Sequence, residues 1–218
     1  MQDIPANFSF GRQGLSKGFQ AEKLEFIKAD SITHKGMMYY LTQIRFLPRQ
    51  LVELYLQEVT YLNKERNQIF NAFGMVNRAR GYEIRIASDK TKPFKAPLIK
   101  RDISIIQGST THPPQIHVFE GMTDFISWLA MIRKTKPKGT ALIMHSTKSY
   151  ALTLDYLKTV SEEAEIHTWL DNDKSGKECS ECFTKDLGHS HINQSHYFEP
   201  YKDLNEALKH GHMIARTQ

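Results

Sequence analysis

Ile116-His117-Val118-Phe119-Glu120-Gly121-Met122-Thr123-Asp124 is the stretch that decides the fold, and Thr168-Trp169-Leu170-Asp171-Asn172-Asp173-Lys174-Ser175-Gly176 repeats its logic further along the chain. Each is a short apolar run that reads as a buried strand and stops at a carboxylate. Two strands then deliver acids to one edge of a sheet, an arrangement suited to a hard divalent cation that takes oxygen ligands.

Around these stretches, strands and helices alternate: strand 116–120, helix 123–134, strand 140–145, helix 148–160, strand 165–170, helix 174–187, strand 196–198 and helix 203–210. Such alternation argues for a mostly parallel sheet covered by helices on both faces, whose ligands sit at the carboxyl ends of the strands. Glu120, Asp171 and Asp173 fall at those ends.

A carboxylate just after a buried strand is costly unless solvated, hydrogen-bonded or bound to a cation. Gly121 permits a tight turn or close approach of a phosphate, Thr123 can cap the next helix, and Asp124 sits in its first turn. Taken alone, Glu120 reads as a chance polar residue; the Asp171-x-Asp173 pair changes the balance, because two acids so spaced can face one cation. A further acidic cluster, Asp203-Leu204-Asn205-Glu206, reads equally well as a helix-capping box and as a contributor to the metal site.

Before the polar break Thr110-Thr111-His112-Pro113-Pro114-Gln115 the pattern differs. Residues 1–30 read as an arm or linker, Met37 to Phe46 and Pro48 to Leu56 as a helical hairpin with Pro48 in the first turn of its second helix. Segments 58–62, 68–76 and 82–86 follow as an antiparallel meander, the last two joined by the basic turn Asn77 to Gly81. The expected organisation is an arm over 1–30, a small basic α+β subdomain over 31–112 and an α/β domain over 113–218.

Charge follows the same division. Residues 1–110 carry 17 Lys and Arg against 10 Asp and Glu, whereas residues 111–218 carry 12 against 14. Between Lys64 and Arg101, ten basic residues face three acids. Such a strip beside an acidic half suits a polyanion held near metal-binding carboxylates, although most charge runs are solvated surface. No run approaches the roughly 18 apolar residues that span a bilayer, so no membrane partner is expected and a cytoplasmic location is. Cys179 and Cys182 are spaced CxxC without a second pair, which favours two reduced thiols; His189, His191 and His196 look solvated, and no zinc is expected.

The order of apolar strand, Glu-Gly-x-x-Asp, βα unit, apolar strand, Asp-x-Asp-x-x-Gly and a Lys-Asp turn resembles the Toprim domain of primases and topoisomerases. Residues 116–210 match that layout, with Glu120 to Asp124 and Asp171 to Gly176 as its first two motifs. Lys202-Asp203-Leu204-Asn205-Glu206 is similar to the third acidic segment of DnaG-type bacterial primases, with Asn205 where a second acid is expected. Asn67 to Arg85 resembles the basic subdomain preceding Toprim in those enzymes, and the helical hairpin looks most like the compact primases of bacterial mobile elements and plasmids.

The resemblance implies a primase-like catalytic core making short RNA primers on a single-stranded DNA template from nucleoside triphosphates. It implies Mg²⁺ or Mn²⁺ at Asp171 and Asp173, help from Asp124 and Asp203, and Glu120 as metal ligand or general base. Arg66, Arg78, Arg80, Arg85, Lys95, Lys100 and Arg101 would hold template or nucleotide, and a replicative helicase or a separate zinc-binding domain would be a partner. A Toprim nuclease of the same metal chemistry and a non-catalytic nucleic-acid-binding module stay open.

Overall fold

A computed structural model describes residues 23–88, 94–109, 114–160 and 162–214. Its first layer is an antiparallel sheet with strands in chain order: β1 (Leu24–Asp30), β2 (Gln57–Asn63), β3 (Gln68–Val76), β4 (Tyr82–Arg85) and β5 (Lys95–Leu98). The three expected meander strands are present, and residues 24–30, read above as arm, pair with β2 along its length. Alternating apolar and polar side chains explain the correction: Leu24 and Phe26 turn toward Val59, Tyr61, Ala72 and Ile84, while Glu25 is exposed. The part of the arm before residue 23 and the break at 110–113 lie outside the described residues.

Between β1 and β2 lie α1 (Lys35–Tyr39), continued by a π-helical turn over Tyr40–Ile44, and α2 (Arg49–Tyr55). Pro48 is the N-cap of α2 rather than its first helical residue. The apolar stripe Met37, Met38, Leu41, Leu51 and Val52 does not close on itself as an isolated hairpin; it joins a core with Phe73 and Met75 of β3 and Phe125 of the later domain.

The second sheet has the order β10-β9-β7-β8-β6, with β6 (Ser104–Ile106), β7 (Gln115–Phe119), β8 (Thr140–Ile143), β9 (Glu165–Trp169) and β10 (His191–Asn193). All neighbours are parallel except β6, which runs antiparallel to β8 on one edge. β6 comes from before the polar break, so this sheet draws on both sides of the division expected at 112/113. Helices α3 (Met122–Met131), α4 (Tyr150–Leu157), α5 (Lys174–Leu187) and α6 (Leu204–Lys209) cover it.

Period-two alternation distributes the two faces. Phe119, Ile143 and Trp169 pack with α3 and α6, while Ile116, Val118 and Leu142 pack with α4 and α5. The strand expected at 196–198 is instead a 3₁₀ turn over Ser195–Phe198, and the actual strand is His191–Asn193. Aromatic Tyr197 and buried Phe198 carry the apolar signal, whereas the edge strand β10 is polar and is held partly by His191 Nε2, 2.8 Å from Thr168 Oγ1. Among the described residues no helix is long and apolar enough to cross a membrane.

Candidate active site

Register places the site. Phe119 pairs with Ile143 on one side and with Trp169 on the other, so the chain leaves three neighbouring parallel strands at one level. Glu120, the His145 to Ser149 segment and Asp171 therefore emerge together at the carboxyl edge.

Two glycines bring the backbone close enough to shape this edge. A Cβ on Gly121 would stand 2.6 Å from Asp124 Oδ2, and one on Gly176 would stand 2.0 Å from the Asp171 carbonyl oxygen. The first helix is capped by Gly121 itself in extended conformation, without a side-chain cap bond, so the capping role expected of Thr123 is not realised. Asp173 caps α5, its Oδ1 accepting from the Gly176 amide at 3.1 Å.

The acids act on one another. Burial, followed by the charges of Asp124, Glu120 and Asp203, pushes Asp171 up to about 9, with Lys202 opposing. Burial and Asp203 raise Asp124 to about 7 against the pull of Arg85 and Arg45. Glu120 is raised by burial and by Asp173, opposed by Lys95, and its Oε2 is a buried oxygen with no partner among the described residues. Asp173 goes the other way: burial would raise it, but the Gly176 amide and Lys202 outweigh that and hold it below the ordinary carboxylate value.

Lys202 is the counter-ion of the cluster, 3.3 Å from Asp173 Oδ2 and 3.7 Å from Asp171 Oδ2. Asn172 holds its loop in place: the Asn172 amide donates to the Lys202 carbonyl at 2.7 Å and its Nδ2 to Tyr201 O at 2.9 Å. Among the described residues no three His, Cys, Asp or Glu side chains stand as a ready coordination group. An orphaned carboxylate oxygen beside acids whose charges oppose one another nevertheless fits a divalent cation, which neutralises several carboxylates at once.

The third acidic segment divides its work. Asp203 caps α6 by accepting from the Glu206 amide at 2.7 Å, while Glu206 Oε2 accepts from the amide of Lys202, one residue before the cap, at 2.8 Å, a variant of the capping box. Asp203 is still close enough to raise Asp124 and Asp171. Asn205 is buried and turned away: its Oδ1 accepts from Arg45, and its Nδ2 donates to Arg45 O and Ser127 Oγ.

Beside the acids lies a cleft of about 240 Å³ whose basic walls are Arg85, Lys95, Arg101 and Lys148. Burial and Arg85 lower the Lys95 pKa, while Glu120 and Asp171 raise it, so this ammonium lies in the field of both groups. Among the other basic residues singled out in the sequence, Arg66 lies in the β2–β3 turn and Arg78 and Arg80 in the β3–β4 turn, at opposite ends of a strand about 26 Å long. Arg78 makes a two-pronged contact with Asp102 at 2.9 and 3.0 Å, and Lys100 is exposed outside the cleft lining. Lys148, His145 and Lys202 were not anticipated as site residues; the position of Ser146 to Ser149 just after a parallel strand, at the edge where ligands bind, was the available signal.

Residues 117–208 match the Toprim-like family model, and residues 26–95 match a domain of unknown function (DUF8464). No curated protein matches the sequence. Among solved structures, the primase fragment of the bacteriophage T7 primase-helicase protein is 14% identical with a TM-score of 0.56, covering 78% of this chain and 68% of that one. A bacteriophage T7 lagging-strand DNA polymerase complex, with primase domains of two gp4 subunits bound to an RNA/DNA hybrid and dTTP, matches at 17% identity and a TM-score of 0.53, covering 78% and 84%. At such identities the likeness is one of fold: a Toprim-like domain in a primase-like core.

Proposed function

We propose, from a Toprim-like domain set in a primase-like fold, that this chain catalyses nucleotidyl transfer, making short RNA primers on single-stranded DNA. The observation that carries the reading is the juxtaposition of Glu120, Asp171 and Asp173 with the Arg85, Lys95, Arg101 and Lys148 cleft. Acids alone suit any cation site; acids beside a basic groove suit a cation and a polyphosphate together.

Glu120, Asp171 and Asp173, assisted by Asp124 and Asp203, would hold Mg²⁺ or Mn²⁺. That ion supplies charge stabilisation at the attacking and leaving oxygens of the phosphoryl group. The chain's own residues do the rest. Lys95, Arg85, Lys148 and Arg101, which line the cleft, would neutralise phosphate charge and orient it. Glu120, raised by burial, is suited to receive the proton of a hydroxyl within reach. Exposed Arg66, Arg80 and Lys100 can contact a longer strand outside the cleft, giving a salt-dependent affinity. A helicase or a separate zinc-binding domain is the expected partner.

The test is a primer-synthesis assay on single-stranded DNA with Mg²⁺ or Mn²⁺. Template-dependent incorporation of ribonucleotides supports the reading, and metal-dependent cleavage without incorporation would instead identify a nuclease.

A further inference from the structure

His145 stands where the chain leaves β8, with φ of +63°, a conformation that favours glycine, yet it carries an imidazole that is 5% exposed. It lines the basic cleft. Its Nε2 lies 2.8 Å from Ser104 Oγ, and Ser104 Oγ donates its single proton to the Val76 carbonyl at 2.6 Å. Nε2 must then be the donor to Ser104, which leaves Nδ1 as a bare acceptor. Among the described residues that acceptor has no partner. Burial and the charges of Arg85 and Arg101 keep the ring neutral, so Nδ1 is not satisfied by taking up a proton.

The cleft narrows what can supply the missing donor. At about 240 Å³ it is smaller than the roughly 300–1,000 Å³ of pockets that enclose a whole small-molecule ligand. Its lining contains no Phe, Tyr or Trp on which a base could stack, and four cations instead. That combination suits the sugar–phosphate part of a nucleotide. Phosphate and ring oxygens at neutral pH are acceptors only, so the donor such a ligand brings is a sugar hydroxyl.

We infer that His145 Nδ1 accepts a hydrogen bond from a ribose hydroxyl of the nucleotide seated in the cleft, making His145 a specificity-determining residue; this rests on the nucleotidyl-transfer reading. His145 lines the cleft, and its Nδ1 is buried. The lining must open for that hydroxyl, and Arg85, which lines the same cleft and is held to the His145 carbonyl by a 3.3 Å bond, is the side chain that a bound phosphate would draw aside.

The experiment is calorimetric titration of the full chain, with Mg²⁺, by ATP, 2′-deoxyATP and 3′-deoxyATP. It is run on the wild type, His145→Gly and His145→Asn, with thermal melts to verify folding. Glycine keeps the backbone conformation and removes the acceptor; asparagine tolerates the same φ and offers an oxygen. The wild type should bind ATP about 10-fold more tightly than one of the two deoxy analogues. His145→Gly should bind all three alike at the weaker affinity, and His145→Asn should recover part of the difference. Equal binding of all three nucleotides by the wild type, or full discrimination retained by a folded His145→Gly or lost in wild type and variant alike, overturns the assignment while leaving nucleotide binding intact. Failure of the wild type to bind any of them overturns the nucleotidyl-transfer reading as well.

Discussion

Asn205 and Arg45, 160 residues apart in sequence, are joined by two hydrogen bonds: Arg45 Nη1 donates to Asn205 Oδ1 at 3.1 Å, and Asn205 Nδ2 donates to Arg45 O at 2.8 Å. The residue that replaces a second acid in the third motif thus fastens α6 to the π-helical turn of the basic subdomain. Asn205→Ala would leave the Arg45 carbonyl and Ser127 short of a partner in a buried place. A loss of about 2 kcal/mol is expected, read as a melting temperature lower by roughly 4–8 °C. An unchanged melt would remove Asn205 from the structural framework.

Asp171→Asn and Asp173→Asn should abolish primer synthesis while leaving single-stranded DNA affinity within about 3-fold, since phosphate contacts dominate that affinity. Incorporation assays and fluorescence anisotropy on the same preparations separate the two effects. Full activity in either variant would end the assignment of those carboxylates.

The pH dependence of stability has a definite sign. A carboxyl raised in the folded state holds its proton there after the unfolded chain has released it near pH 3.9, so folding is favoured at low pH and weakened as pH rises through the folded value. For Asp124 that window ends near 7 and for Asp171 near 9. Metal-free protein should therefore lose stability between pH 7 and 9, on the order of 1 kcal/mol per pH unit. Asp171→Asn should flatten the slope, and added Mg²⁺ should reverse it. Melts above pH 7 are the right measurement, because buried His117, lowered to about 3 chiefly by its burial, weakens the fold only as pH falls below its unfolded value.

Lys202 occupies ground that a divalent ion would contest. Lys202→Ala should lower the melting temperature of the metal-free protein, as the ionised Asp173 loses its counter-ion, and should tighten Mn²⁺ binding by roughly 3- to 10-fold. Calorimetric titration with Mn²⁺ checks it; weaker binding would mean that the lysine supports the ion instead of competing with it.

The basic residues should separate into two groups. Lys95→Ala and Arg101→Ala should weaken single-stranded DNA or nucleotide binding and reduce the salt dependence by about one ion each. Arg78→Ala should chiefly destabilise, by about 1–3 kcal/mol, because buried Asp102 loses its cation and keeps the Ile103 amide on Oδ1. A salt series on all three variants distinguishes the groups.

The parallel strands β7, β8 and β9 and the acids behind two of them were legible because a buried strand must be apolar and a carboxylate at its end must be accounted for. β10 was not, because an edge strand with one exposed face carries little hydrophobic signal, and Tyr197-Phe198 nearby carried more. β6 is three residues long, too short for a period to register. Lys202, His145 and the Asn205–Arg45 tie depend on neighbours distant in sequence, which no local pattern encodes. The basic strip was legible as charge, but the turns at either end of β3 distribute it over separate places, and only three of its members reach the cleft.

β6 gives the molecule its seam. A fragment beginning at the polar break would carry β8 with one ladder of amides and carbonyls bare, an adhesive margin ready to pair with another copy of itself. The N-terminal half thereby acts as a built-in guard against self-association, covering the margin before a neighbouring molecule can.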